Sequence, residues 1–384
     1  MTPSSPPWLE PRTAYIHVPF CGHHCGYCDF AVTAGQDHLI ELYLDALGVE
    51  LRTLGVPRPV ESLFIGGGTP TYLSASQLGQ LLEVVTRWLP PSAGSEFSIE
   101  STPESLDEEK ARTLASFGVN RVSIGVQSFQ AKFLTALDRR HGVEHIPSAV
   151  EAVRRHVPGL SFDLIFAAPG QTLADWDADL TAALAYAPDH LSTYGLTYEK
   201  GTPLWKERER GRVIAVPEDN ELAMYLHAID RLTAAGLEHY EISNFARPGM
   251  RSVHNQRYWA NEAYYGFGVG AARYVGGVRE LNVRDTRLYV RKVLAGESPT
   301  FQSERLDQRD RAFETVGTQL RRIDGIERAS FRQQTGHVLD ELLGERLTGL
   351  VAEGLLSDDG ASVKLTRRGK CVADGIIEEL MKAS

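Results

Sequence analysis

The chain has 384 residues, of which 42% are hydrophobic and 23% are charged, and its formal net charge is −10. This composition is that of a globular protein large enough for two domains, and it excludes a low-complexity chain. The acidic balance argues against a nucleic-acid-binding protein, which usually carries a basic face. No apolar run approaches the length of a transmembrane segment, and the first seven residues lack the features of a secretory signal. We therefore expect a cytoplasmic protein.

Three cysteines directly follow the first predicted strand, Ala14–Val18. Cys21, Cys25 and Cys28 form the motif C-x3-C-x2-C, and the fourth cysteine, Cys371, is far away in the sequence. This crowding does not fit a disulfide scaffold, and it predicts a metal site in a reducing compartment. A [4Fe–4S] cluster needs four ligands, so three cysteines leave one iron open to a ligand that is not protein.

A zinc site is the alternative interpretation of this loop. Its fourth ligand would be His17, His23, His24 or Cys371. Zinc sites more often pair C-x2-C with a second pair of cysteines or histidines, and the sequence has no such second pair. The spacing and the position after a strand therefore favour the iron–sulfur cluster.

Short apolar runs alternate with amphipathic segments through the first half of the chain. The runs after the first strand predict further strands at Ser62–Ile65, Phe97–Glu100, Arg121–Gly125, Ser161–Phe166 and His190–Leu196. The segments between them predict helices near His38–Leu54, Ser76–Leu89, Asp107–Phe117, His145–Arg155 and Leu173–Tyr186. Six strand–helix units predict an α/β fold with a parallel sheet, in the form of a partial, TIM-like (β/α)6 barrel.

The pattern changes in the second half of the chain. A helix is predicted at Glu218–Ala235, and an aromatic, glycine-rich stretch follows at Tyr258–Tyr274. Later helices precede a hairpin with its turn at Asp358–Gly360, which is typical of a winged-helix-like module. In an acidic chain we expect this module to dock rather than to bind DNA. The predicted domains are a barrel at 1–235, a connecting region at 236–300 and a mostly helical, winged-helix-like domain at 301–384.

Polar and glycine-rich motifs follow the later strands. Gly66-Gly67-Gly68-Thr69 ends the second strand, and glycines without Cβ atoms let the backbone approach a ligand closely. The motif is neither a phosphate loop nor a dinucleotide fingerprint, because Gly-Lys-Ser/Thr is missing and Thr71 replaces the third glycine. Polar residues at, beyond or inside the next strands are Glu100, Gln127, Arg139 and Asp163. A carboxylate inside a strand, such as Asp163, needs a partner to be buried.

A further motif, His254-Asn255-Gln256-Arg257-Tyr258-Trp259, lies in the connecting region. Histidine is a common axial ligand of heme iron, and aromatic side chains can pack on a porphyrin face. A loop histidine buried among aromatic residues is the alternative interpretation.

Together these motifs resemble the radical S-adenosylmethionine (SAM) superfamily, in particular the branch that contains oxygen-independent coproporphyrinogen III oxidase and related heme chaperones. The resemblance runs from Tyr15-Ile16-His17-Val18-Pro19-Phe20-Cys21 through the C-terminal module. It implies a [4Fe–4S] cluster on the three cysteines, whose open iron binds the amino and carboxylate groups of SAM. The SAM contacts that it implies are Tyr15, Tyr27, Gly67, Gly68, Thr69, Glu100, Gln127, Arg139, Asp163 and Leu196.

Two functions of this branch are compatible with the resemblance. One is an oxidase of porphyrin metabolism that decarboxylates two propionates of coproporphyrinogen III. The other is a chaperone that binds heme and transfers it to an acceptor protein. The oxidases have one more cysteine where this chain has Phe30, and a longer segment before the cluster. The motif H-N-x-x-Y-W is associated with the chaperones.

These differences favour a chaperone in which heme contacts His254, without coproporphyrinogen oxidase activity. Cleavage of SAM is compatible with either function. A radical SAM enzyme with an unrelated substrate is a third alternative, because a fold does not fix a function.

Overall fold

A computed structural model describes residues 6–382 of the chain. Residues 1–5 and 383–384 lie outside the described part. Our prediction that the first seven residues form no secretory signal therefore falls mostly outside the described residues. Within the described part, every helix is too short or too polar to cross a lipid bilayer.

The strands, numbered in chain order, are β1 Thr13–Val18, β2 Phe20–Cys21, β3 Thr33–Ala34, β4 Val60–Gly67, β5 Pro91–Ser101, β6 Arg121–Gln127, β7 Gly159–Phe166, β8 His190–Gly195, β9 Glu238–His239, β10 Asn244–Ala246, β11 Tyr265–Gly268, β12 Ala272–Val275, β13 Val278–Asn282, β14 Thr300–Glu304, β15 Ile326–Glu327, β16 Leu356–Asp358 and β17 Ser362–Leu365. The α-helices are α1 Ile40–Arg52, α2 Ala75–Trp88, α3 Glu108–Ser116, α4 Ala131–Ala136, α5 Ile146–His156, α6 Leu173–Ala185, α7 Pro203–Glu209, α8 Glu218–Ala234, α9 Val253–Trp259, α10 Thr286–Leu294, α11 Gln308–Gln319, α12 Arg328–Thr335, α13 Leu339–Leu343, α14 Glu345–Ala352, α15 Arg367–Lys370 and α16 Ala373–Met381.

The six strands that the sequence predicts, β1, β4, β5, β6, β7 and β8, are neighbours and run parallel. This confirms the α/β fold and its open parallel barrel. The sheet is wider than six strands, with the order β11-β1-β4-β5-β6-β7-β8-β10-β9. β11 pairs parallel with β1, and β10 pairs antiparallel with β8. These edge strands come from the region 236–300, where we predicted no strand. The domain boundaries at 235 and 300 stay predictions.

The alternation of side chains along each strand separates the core from the barrel interior. In β6, Val122, Ile124 and Val126 are fully buried in the main core. The residues between them, such as Ser123 and Gly125, line a cavity inside the barrel. Because neighbouring residues of a strand point to opposite faces, one run of sequence builds both the packed outer layer and the polar lumen.

A buried carboxylate joins α1 to the strand β11 at the edge of the sheet. Glu50 is 2% exposed and accepts hydrogen bonds from the Tyr289 hydroxyl at 2.6 Å, the Gly268 amide at 2.9 Å and the Asn282 side-chain amide at 2.8 Å. Three donors on the two carboxylate oxygens satisfy a charge that would otherwise be costly to bury.

We expect Glu50→Gln to lower the free energy of unfolding by about 1–3 kcal/mol, because the glutamine NH2 group would face a donor in this buried cluster. Denaturant unfolding of the wild type and the variant measures this difference. The matched control is Glu83→Gln in α2, which removes an exposed pair with Arg87 and should change stability by less than about 0.5 kcal/mol. Equal effects of the two substitutions would contradict the expectation.

The C-terminal domain has its own hydrophobic core, which contains Phe313, Ile326, Phe331, Leu347 and Val363. Its elements follow the order helix α11, strand β15, three helices α12, α13 and α14, and a hairpin, and the helices α15 and α16 come after it. The strand order is β15-β17-β16. The predicted hairpin is present as the antiparallel pair β16–β17. This arrangement agrees with the winged-helix-like module that we predicted.

Candidate functional site

The cysteine loop leaves the barrel at the C-terminal end of β1. β2 and β3 pair with each other and close the loop at its base. Cys21 and Cys25 are buried, Cys28 is partly exposed, and none of the three forms a disulfide. All three line one cavity of about 880 Å³, a volume typical of a ligand pocket.

Hydrogen-bond donors surround the cysteine sulfur atoms. The Arg139 Nη1 atom lies 3.4 Å from Cys25 Sγ, and the Thr69 hydroxyl lies 3.5 Å from Cys21 Sγ. Burial raises the pKa of the Cys21 thiol to about 12 and also raises that of Cys28. These thiols are therefore protonated near neutral pH in the metal-free protein, and iron binding must displace the protons. A cation and a hydroxyl beside the sulfurs fit the negative charge of thiolate ligands.

The glycine turn after β4 packs directly against the cysteine loop. A Cβ atom at Gly68 would lie 2.6 Å from the Phe20 carbonyl oxygen and 2.9 Å from Cys21 Sγ. Gly67 has a φ of 110°, and a Cβ atom there would lie 2.7 Å from the His17 ring. Only glycine fits these positions, and both residues line the cavity.

The structure brings all the predicted site residues together around one cavity. This is the cavity that the three cysteines line, and its lining also includes Tyr15, Tyr27, Gly67, Gly68, Thr69, Glu100, Gln127, Arg139, Asp163, Leu196 and His254. They come from positions spread over more than 230 residues of sequence, from Tyr15 to His254. Their roles toward SAM and heme stay predictions.

The side chains named as alternative zinc ligands have other partners. His17 contacts the Tyr15 hydroxyl through Nδ1 and the Ala31 carbonyl oxygen through Nε2, each at 3.0 Å. His23 pairs with Asp138 at 3.1 Å, and His24 Nε2 lies 3.0 Å from the Cys28 carbonyl oxygen. A zinc site would have to replace these contacts. Across residues 6–382, no three cysteine, histidine or acidic side chains converge on a point that could hold a single metal ion, and this applies to the three cysteines as well.

Two carboxyl groups and a guanidinium group lie inside the barrel next to the glycine turn. Glu100 Oε2 accepts a hydrogen bond from the Gly67 amide at 2.8 Å, and Asp163 accepts one from the Ser123 hydroxyl at 3.1 Å. Arg139 donates to the Gly125 carbonyl oxygen at 2.8 Å, and its Nε atom is buried without a partner in the described residues. Burial, followed by the nearby Asp163 charge, raises the pKa of Glu100 to about 8. The two buried carboxyl groups and the unpaired Nε of Arg139 suit a ligand with both amino and carboxylate groups.

We expect Glu100→Gln to gain stability relative to the wild type as the pH rises, in protein free of metal and SAM. Folded wild type keeps the Glu100 proton up to about pH 8, whereas the unfolded chain releases it near the ordinary pKa of 4.5. The unfolded state therefore binds fewer protons between these values, and wild-type stability falls there. Denaturant unfolding between about pH 4 and about pH 9 should show a difference that grows up to about pH 8 and then levels off. A difference independent of pH would contradict this expectation.

His254 lies in the interior of the barrel, on the first turn of α9. Its ring packs against Phe64 at 4.9 Å and Tyr258 at 5.0 Å between ring centroids, and against Tyr15 at 6.2 Å. The residue is 5% exposed, and burial lowers the pKa of its imidazole to about 3. The ring is therefore neutral near physiological pH and keeps a lone pair for a metal.

Sequence reasoning missed the residues that hold the start of α9. Glu96 of β5 is 7% exposed and accepts hydrogen bonds from the Val253 amide at 2.7 Å and the Ser252 hydroxyl at 3.1 Å. Arg121 lies 3.7 Å from this carboxylate and donates to the Met250 carbonyl oxygen. Glu96 lies just before the predicted strand Phe97–Glu100 and Arg121 is the first residue of the next one, so a charge at the start of a predicted strand was the available signal.

Two known family descriptions match the chain. The family described as the radical SAM superfamily matches residues 15–183, and the HemN C-terminal domain matches residues 306–372. The second match covers most of the winged-helix-like domain.

Curated relatives match almost the whole chain. The heme chaperone HemW of Bacillus subtilis is 36% identical, with 95% of this chain and 98% of the relative covered. The heme chaperone HemW of Escherichia coli is 31% identical, with 96% and 98% covered. Among solved structures, coproporphyrinogen III oxidase (HemN) from Escherichia coli superposes with a TM-score of 0.85 at 24% identity, with 97% of this chain and 91% of that chain covered. This last likeness shows the fold.

Proposed function

We propose that this chain, which belongs to the radical SAM superfamily and within it to the family of the heme chaperone HemW, binds heme and transfers it to an acceptor protein. The observation that carries the proposal is the match to curated heme chaperones over at least 95% of this chain, at 31–36% identity. The cavity supports it, because a neutral histidine and several aromatic rings face the same lumen as the cysteine loop.

The residues around the cysteine loop fit a [4Fe–4S] cluster and SAM. Cys21, Cys25 and Cys28 would hold the cluster, with the Arg139 guanidinium beside Cys25. The glycine turn, Glu100 and Asp163 would contact the polar groups of SAM. When both are bound, they would supply the chemistry for reductive cleavage of SAM.

The oxidase is the alternative function, and Phe30 argues against it. This side chain is 65% exposed next to Cys28, at the position where the oxidases carry a further cysteine. The structural likeness to an oxidase at 24% identity establishes a shared fold and no shared reaction.

The cytoplasm is the proposed compartment, because free cysteines and an iron–sulfur cluster persist under reducing conditions. We also propose that the winged-helix-like domain docks to protein rather than to nucleic acid. The chain has a net charge of −10, whereas nucleic-acid-binding proteins usually present a basic face.

A heme titration of the anaerobically reconstituted protein tests the proposal. We expect stoichiometric uptake with a defined Soret band, and release of heme to an added apo-hemoprotein. In parallel, coproporphyrinogen III with a reductant and SAM should give no protoporphyrinogen. Efficient formation of protoporphyrinogen, or the lack of saturable heme uptake, would overturn the proposed function.

A further inference from the structure

The two ring nitrogens of His254 have different surroundings. Nδ1 lies 3.3 Å from the hydroxyl of Ser62, a fully buried residue of β4. Nε2 makes no hydrogen bond with any residue from 6 to 382, and it stays accessible to solvent. Because the residue lines the cavity, Nε2 is the nitrogen that opens onto it.

The packing around His254 keeps the ring in this orientation. The rings of Phe64 and Tyr258 contact it, with interplanar angles of 31° and 38°. The start of α9 is tied to Glu96 through the Val253 amide. A 180° flip of the ring would place the carbon Cδ2 instead of Nδ1 beside the Ser62 hydroxyl, and this contact would be lost.

We propose that Ser62 is a positioning residue, which holds Nδ1 of His254 so that Nε2 binds the iron of heme. This inference rests on the proposed function and goes beyond it by naming the ligand atom and its partner. Histidines that bind metals generally donate their second N–H to an acceptor, which fixes the tautomer and makes the ligand more basic.

A serine hydroxyl suits this role because it can both donate and accept a hydrogen bond. In heme-free protein, the hydroxyl can donate to Nδ1 while the proton of the neutral ring is on Nε2. When Nε2 gives its lone pair to iron, the ring proton is on Nδ1, and the Ser62 hydroxyl oxygen accepts a hydrogen bond from this N–H group. The ring carries one proton in both states, so no net proton release accompanies iron binding. Alanine at this position would leave a buried Nδ1–H group without an acceptor.

The test is a heme titration of reconstituted wild type and Ser62→Ala, followed through the Soret band. We expect Ser62→Ala to bind heme about 10–100-fold more weakly. The matched control is Ser161→Ala. Ser161 is a buried serine of β7 that lines the same cavity, and its hydroxyl lies 2.9 Å from Nδ1 of His190. The control should keep wild-type affinity.

Two further measurements separate this role from a general loosening of the barrel. In the ferrous protein, resonance Raman spectroscopy should show a lower iron–histidine stretching frequency for Ser62→Ala than for the wild type, because Nδ1–H has lost its acceptor. In a His254→Ala background, Ser62→Ala should cause no further loss of affinity, since the interacting partner is already gone.

The outcomes distinguish this inference from the proposed function. Equal losses in Ser62→Ala and Ser161→Ala, or independent losses from Ser62→Ala and His254→Ala, would overturn the positioning role. Wild-type affinity and an unchanged Raman frequency in Ser62→Ala would overturn it as well, while the chaperone function would stand. A wild type that takes up no heme would overturn the proposed function itself.

Discussion

The Cys28→Ala variant is expected to lose its [4Fe–4S] cluster after anaerobic reconstitution with iron and sulfide. Three thiolates are the minimum that the motif offers, and two cannot hold the cluster against release to solvent. Cys28 is the most exposed of the three cysteines, so its replacement disturbs packing least. Iron and sulfide content, together with the visible absorption of the reconstituted protein, should fall close to the background of unreconstituted protein.

Cys371→Ala is the matched control for this experiment. Cys371 is also a partly exposed free cysteine, but it lies in the C-terminal domain, where its thiol contacts the Arg367 carbonyl oxygen at 3.3 Å. We expect this variant to take up as much iron and sulfide as the wild type. Full reconstitution of Cys28→Ala, or stoichiometric zinc in the anaerobically purified wild type, would contradict the cluster assignment.

The central strands were predictable because their side chains repeat a simple pattern. Val122, Ile124 and Val126 alternate with residues that face the lumen, and helical segments of sufficient length separate each strand from the next. Alternation of strand and helix permits few arrangements other than a parallel sheet. Thr172 and Asp175 form a capping box at the start of α6, and such a motif can be predicted from sequence because its chemistry is local.

Elements that depend on distant partners were not predictable. β11 is a short strand in a glycine-rich stretch, and it exists because its backbone pairs with β1, about 250 residues earlier. The start of α3 is a related case, because the spacing of Ser105 and Glu108 is typical of a capping box but does not cap this helix. Asp107 caps that helix by accepting from the Lys110 amide at 2.8 Å, while Ser105 belongs to the preceding turn with Thr102. Several adjacent residues could serve as caps, and tertiary contacts decide among them.

The residues predicted for the candidate site line one cavity, but how deeply each of them is buried could not be predicted from the sequence. The motifs identified Cys21, Glu100 and His254 as candidate site residues. The C-terminal ends of the strands of a parallel barrel meet at one face, which explains why residues from different strands come together. Only the structure shows that His254 lies among Tyr15 and Phe64 inside the lumen. Ser62 had no signal of its own, because a serine in a strand is ordinary until its partner is known.

The His254→Ala variant is expected to lose the iron–histidine bond and to bind heme at least about 100-fold more weakly than the wild type, since removal of an outer-shell partner alone costs up to that factor. The Soret band of any residual complex should shift toward that of heme without a protein nitrogen ligand. His190→Ala is the matched control. His190 is also buried and lines the cavity, but its nitrogens contact the Ser161 and Tyr240 hydroxyls at 2.9 and 2.7 Å. Its affinity and spectrum should stay close to those of the wild type.

Exogenous imidazole separates loss of the ligand from loss of the fold. The alanine at position 254 leaves space beside Phe64 and Tyr258, and a free imidazole placed there can bind the iron. We therefore expect added imidazole to restore the wild-type spectrum of the His254→Ala complex, whereas a misfolded variant would not respond. A wild-type spectrum in His254→Ala without imidazole would assign the ligand to another residue, because a bond between iron and Nε2 of His254 requires that ring. Loss of the wild-type spectrum in His190→Ala would also contradict the assignment, because iron binding at His254 leaves the hydrogen bonds of His190 unchanged.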